Sequence, residues 1–108
     1  MPRYPLLADI LDARLRLRGI ALHTPLESAP MLAEESQAAE VRLKLEMLQP
    51  TGSFKTRGAH NKVALIAAQQ PDADLVTASS GNHGIAVATA AARDGMRLTV
   101  SVTLEQRR

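Results

Sequence analysis

The sequence predicts an α/β fold with parallel strands, and three observations predict it. The alternating run 41–46 and the apolar run 75–76 each lead into a turn of small and polar residues, then into a helix-forming segment. A third run, 98–102, follows the second of those helices. Strands separated by helices in this rhythm pair in parallel through right-handed crossovers, and ligands collect beyond their carboxyl ends. Both turns sit at such ends.

Taken in order, residues 6–17 open the chain as a packing helix. Leu7, Ile10, Leu11 and Leu15 recur at helical spacing, with Asp9, Asp12, Arg14, Arg16 and Arg18 elsewhere. Gly19 stops it, and the arginines suit the negative end of the helix dipole. The basic cluster 14–18 reads as a solvated face. His23-Thr24-Pro25-Leu26 is extended, because proline lacks an N–H and biases its predecessor away from helix. His23 reads as a loop histidine. A short helix over 31–39 carries Glu34 and Glu35 as exposed charge. The strand 41–46 alternates apolar and charged residues, which gives it one polar face.

The helix after residue 55 runs to about Gln69 and is closed by Pro71, sending Val63, Leu65, Ile66 and Ala67 to a core. His60 and Asn61 within it read as satisfied polar residues. Strand 74–77, helix 84–94 ending at Gly95, and strand 98–102 complete the order.

Composition narrows the function. A 108-residue chain with 45% hydrophobic residues can bury one modest core. Tyr4 and Phe54 are its only aromatics, so aliphatic side chains must pack it. A net charge of +2, with thinly spread arginines, does not argue for nucleic acid. With zero cysteines, disulfides and thiolate metal sites are excluded. Absence of a membrane-length apolar stretch or a signal-peptide pattern leads to a cytoplasmic expectation with no membrane partner.

Two turns carry the chemistry. Gln49-Pro50-Thr51-Gly52-Ser53-Phe54-Lys55-Thr56-Arg57-Gly58-Ala59 sets a lysine at a helix mouth, with Ser53 as N-cap. Helix N-termini disfavour an ammonium, so a partly desolvated lysine there becomes a neutral nucleophile that attacks carbonyls. The plainer reading is a solvated first-turn lysine. Thr77-Ala78-Ser79-Ser80-Gly81-Asn82-His83-Gly84 lies between a strand and an alanine-rich helix. Its small residues let backbone N–H groups approach an anion at the helix start.

At these turns the chain resembles the fold type II pyridoxal-phosphate enzymes. Pro-Thr-Gly-Ser-Phe-Lys-Thr-Arg-Gly-Ala at 50–59 and Ser-Ser-Gly-Asn-His-Gly at 79–84 look most like the threonine and serine dehydratases and serine racemases. His-Thr-Pro-Leu at 23–26 and Leu-Lys-Leu-Glu at 43–46 also fit. Thr56 after the lysine separates the chain from threonine synthases, which typically carry aspartate there.

The resemblance implies pyridoxal 5'-phosphate as cofactor and an amino acid as substrate. It implies that Lys55 attaches the cofactor as a Schiff base and later acts as a base at the substrate α-carbon. Phe54 packs near the cofactor ring, or anchors the core, or does both. Asn82 bonds the ring hydroxyl. Ser79, Ser80, Gly81, Asn82 and His83 receive the substrate, and Ser80 serves as acid or base on the face opposite lysine. The products are a 2-oxo acid and ammonia.

Relatives are much longer, and their glycine-rich phosphate loop and pyridine-nitrogen partner follow the region present here. The six glycines of this chain form no run, and its ending, Thr-Leu-Glu-Gln-Arg-Arg, departs from the family pattern. The chain is therefore expected to be an N-terminal piece with an incomplete doubly wound parallel sheet. Residues to about 75 belong to a larger domain, and about 76–108 begin a smaller one. Uncovered edges and apolar faces then imply low solubility and weak cofactor binding for the isolated chain. The resemblance leaves room for a homo-oligomer of the full-length enzyme. Other readings are a catalytically inactive remnant or interaction module, an amino acid racemase or threonine-synthase-like enzyme, and an unrelated anion-binding α/β domain.

Overall fold

A computed structural model describes residues 3–103 of the chain. Its elements run α1 (Leu7–Arg16), β1 (Leu26–Ser28), α2 (Pro30–Ser36), β2 (Arg42–Lys44), α3 (Lys55–Gln69), β3 (Asp74–Ala78), α4 (Asn82–Arg93) and β4 (Arg97–Ser101). A 3-10 turn, Glu46–Leu48, separates β2 from the lysine turn. The departure from family pattern noted at residues 103–108 lies, beyond Thr103, outside the described residues.

The expected α/β architecture is present, and its strands form two small sheets. β3 and β4 pair in parallel across α4, from Asp74 opposite Arg97 to Ala78 opposite Ser101. The strand before the lysine turn departs from the parallel expectation. β2 pairs antiparallel with β1, Leu26 opposite Lys44 and Ser28 opposite Arg42. Its cause is local: α2 ends after seven residues at Gln37, whose φ of 56° turns the chain back, so β2 returns alongside β1. The Ala38 N–H closes that end on the Ala33 carbonyl at 3.0 Å. A left-handed residue terminates a helix in this way, three residues before the expected end at 39.

The core lies between α3 and α4. Ala59 and Val63 from α3 meet Ala86, Ala90 and Ala91 from α4, with Met96 below. Leu75 and Leu98, from the inner face of the parallel sheet, pack onto them. Four of the six buried core residues are alanines, so the helices approach closely but bury little apolar area each, and single changes there are felt strongly. Of the residues expected to face this core, Val63, Ile66 and Ala67 do so. Leu65 points instead into a hollow beside α1, since it sits on the other face of the α3 cylinder.

The first helix forms as expected without the packing expected of it. Asp9 accepts a hydrogen bond from the Leu6 N–H at 2.7 Å and an ion pair from Arg3 at 2.6 Å, which fixes the first turn. No residue of α1 is buried, and Leu7, Ile10, Leu11 and Leu15 are exposed. Among the described residues only α3 packs against it, through Arg16, whose Nε donates to Asn61 Oδ1 at 2.8 Å. The outer face of β3 is likewise open, with Val76 76% exposed. Among the described residues no helix is long and apolar enough to cross a membrane.

Candidate active site

A buried polar knot positions the lysine turn. The Gln49 side chain pairs with the Leu22 backbone like one rung of a sheet, accepting from its N–H and donating to its carbonyl, both at 2.9 Å. Glu46 accepts from Thr24 Oγ1 at 2.5 Å and from Arg57 Nε and Nη2 at 2.8 and 3.0 Å. These bonds, the Arg57 pair first, hold its carboxyl down from the ordinary 4.5 to about 2, against the opposing effect of burial. Arg57 is raised in turn. The 3-10 turn, the segment 22–24 and the first turn of α3 are thereby clamped together.

Within that clamp the turn closes in steps. The Gly52 N–H donates to the Gln49 carbonyl at 2.8 Å, with φ at 81°, a left-handed conformation glycine adopts freely. Ser53, expected as N-cap, lies one residue too early: Phe54 is the N-cap of α3 and gives no side-chain cap, while Ser53 Oγ accepts from the Lys55 N–H at 3.3 Å. The hydroxyls of Thr51 and fully buried Thr56 bond to each other. Lys55 is therefore the first residue of α3, and its Nζ lies 5.2 Å from the centroid of the Phe54 ring, within cation–π range.

The second turn is built around Ser79. Its Oγ accepts from the N–H groups of Gly81 and Gly84, at 3.2 and 2.9 Å. A side chain at Gly84 would bring its Cβ to 3.2 Å from both Ser79 Cβ and Ser79 O, so glycine lets the helix start this close to the loop. The N–H groups of Asn82 and His83 have no acceptor among the described residues, which leaves the mouth of α4 able to receive an anion. His83 Nε2 lies 3.0 Å from Thr77 Oγ1.

Lys55, Phe54 and His83 line one cavity of about 400 Å³, walled by α3, β3 and α4. Ser79, Ser80 and Gly81 line a neighbouring hollow of about 300 Å³ between α4 and the end of β4. Asn82, at the first position of α4, is exposed and lines neither. Sequence reasoning passed over Lys62 and Thr77, which also line the Lys55 cavity. Spacing could have found Lys62, because residues 55, 58, 59, 62 and 63 share one helical face. His60, expected to be satisfied, is buried with Nδ1 unpartnered. Burial lowers its pKa, and Arg93 adds to that while Asp94 opposes it.

A cavity of this size, with an amine beside an aromatic face and free N–H groups at a nearby helix mouth, fits the aldehyde end of an electrophilic cofactor. A glycine-rich cradle for its phosphate is not found among the described residues.

Comparison with known proteins agrees with that chemistry. The family model described as pyridoxal-phosphate dependent enzyme matches residues 18–105, and the chain belongs to that family. Within it, the chain lies on the fold type II branch that holds the threonine dehydratases and serine racemases. It is 40% identical over 94 residues to an L-threonine ammonia-lyase of Thermotoga maritima, covering 87% of this chain and 23% of that one. A biosynthetic L-threonine dehydratase of Corynebacterium glutamicum is 46% identical over 81 residues, covering 75% and 18%. The maize serine racemase structure superposes with a TM-score of 0.75 at 33% identity, covering 89% of this chain and 30% of that one. The chain thus spans about a quarter of the length of the curated relatives it matches.

Proposed function

We propose that this chain carries the cofactor-attachment part of an active site that dehydrates and deaminates a hydroxy amino acid of the threonine or serine type. The observation that carries the reading is the amine of Lys55, set at the mouth of α3 against Phe54 and opening into the same cavity as His83. In the longer fold, residues to about 75 belong to a larger lobe and the second turn begins a smaller one.

Bound pyridoxal 5'-phosphate supplies an aldehyde and an electron-poor ring that accepts negative charge from the substrate α-carbon. Lys55 Nζ would hold the cofactor through its aldehyde and would be the base that takes the substrate α-proton. Phe54 walls the cavity that would take the ring. Asn82, at the first position of α4, would be the donor to the ring hydroxyl. The substrate carboxylate is received by the N–H groups of Asn82 and His83, with Ser79 and Gly81 shaping the loop. Ser80 would be the acid or base at the substrate α-carbon on the face away from Lys55. Loss of the α-proton and the β-hydroxyl, followed by hydrolysis, yields a 2-oxo acid and ammonia.

The test is formation of 2-oxo acid from L-threonine or L-serine with added cofactor. Turnover that disappears in Lys55→Ala supports the assignment. Equal turnover in the variant contradicts it.

A further inference from the structure

Away from the Lys55 cavity, the last turns of α1 and the segment after it enclose a hollow of about 590 Å³. Its floor is aliphatic, built from Ile10, Ala13, Leu17 and Leu22, and its rim is basic, with Arg14, Arg18, His23 and Arg57. None of its lining residues is acidic. The acidic residues of α1, Asp9 and Asp12, line an adjoining hollow that shares Ile10 and Ala13 and also holds Arg16. Arg14 and Arg18 make no ion pair among the described residues. Arg57 is held at the rim by Glu46 and by its own bond to the Leu22 carbonyl at 3.1 Å.

We propose that this hollow binds a small organic anion with an aliphatic body, an alkyl carboxylate or alkyl phosphate. The volume falls within the range of small-molecule sites, roughly 300–1,000 Å³. Guanidinium forks pair with both head groups in a planar, two-pronged fashion. An aliphatic tail covers Ile10 and Leu22, which are otherwise 58% and 52% exposed. The anion also gives Arg14 and Arg18, which make no ion pair among the described residues, a partner of opposite charge. Neither Lys55 nor any residue of the second turn takes part, so the site stands independently of the proposed reaction.

Calorimetric titration of the 108-residue chain at low ionic strength tests this, with hexanoate and hexyl phosphate as ligands and 1-hexanol as the neutral control. The expected result is saturable one-to-one binding of at least one anion. It weakens about tenfold or more in Arg14→Gln/Arg18→Gln, is unchanged in Arg42→Gln, and falls with added salt. Which anion binds distinguishes a carboxylate from a phosphate source. Both arginines are exposed and outside the core, so the variants keep the parent's circular dichroism. Absence of saturable binding, equal affinity for 1-hexanol, or unchanged binding in the double variant overturns the proposal. So does a dimer in sedimentation that excludes both anions, because a second copy then covers the hollow.

Discussion

The Glu46 carboxylate grips Arg57 with two parallel bonds, Nε at 2.8 Å and Nη2 at 3.0 Å. Arg57 stands two residues after Lys55, so this pair fixes the first turn of α3 and, through it, the direction in which the lysine leaves the helix. Glu46→Gln removes the charge and one good acceptor, and should cost about 2 kcal/mol of stability at neutral pH. With the folded carboxyl at about 2 against an ordinary 4.5, the stabilisation is fully present above 4.5 and drains away as pH falls toward 2. Urea titrations across that window should show an acid-labile limb in the parent and a flatter one in the variant.

His60 gives a second limb at higher pH. Its folded pKa lies below the ordinary 6.5 because burial disfavours the imidazolium. The unfolded chain therefore takes up the proton first, and stability present above 6.5 is lost as pH falls below it. His60→Leu deletes both the titration and the unpartnered Nδ1. Its stability at pH 7.5 should stay within about 1 kcal/mol of the parent, and the slope that the parent shows below pH 6.5 should vanish.

Gly84 lies where two effects compete. Alanine favours helix over glycine by about 1 kcal/mol, yet its Cβ would press on Ser79 at 3.2 Å. Displacing Ser79 also disturbs the Oγ that holds the Gly81 and Gly84 N–H groups. Crowding should win, and Gly84→Ala should lose about 1 kcal/mol in thermal or urea unfolding. A gain in stability would mean that the loop yields freely.

Phe54 separates an anchor from a cavity wall. It is 62% exposed, so Phe54→Ala should change stability by no more than about 0.5 kcal/mol. The same variant should retain less pyridoxal phosphate after gel filtration, because the ring beside Lys55 is gone. Large destabilisation would restore the core-anchor reading.

The parallel unit was legible because β3, α4 and β4 are contiguous and each obeys its own period. Leu75 and Leu98 mark the sheet's inner face, and the alanines mark the helix. Pairing of β2 with β1 was not legible, since it depends on the φ of Gln37 and on a three-residue strand with no buried face. Lys55 could be read from its position at a turn and from the motif around it. The Glu46–Arg57–Thr24–Gln49 knot could not, because its members come from separate segments and no local pattern joins Thr24 to Glu46. Sequence placed the serine-asparagine loop and the lysine at one site. The geometry puts His83 in the lysine's cavity and Ser79, Ser80 and Gly81 in the hollow beside it.

Reductive trapping tests the central claim most directly. The chain is incubated with pyridoxal 5'-phosphate, reduced with borohydride, digested, and mapped by mass spectrometry. The cofactor's mass should appear on the peptide that carries Lys55 in preference to every other lysine peptide, with Lys62 and Lys44 unlabelled. Label spread evenly over the lysines, or concentrated on any residue other than Lys55, would contradict the account.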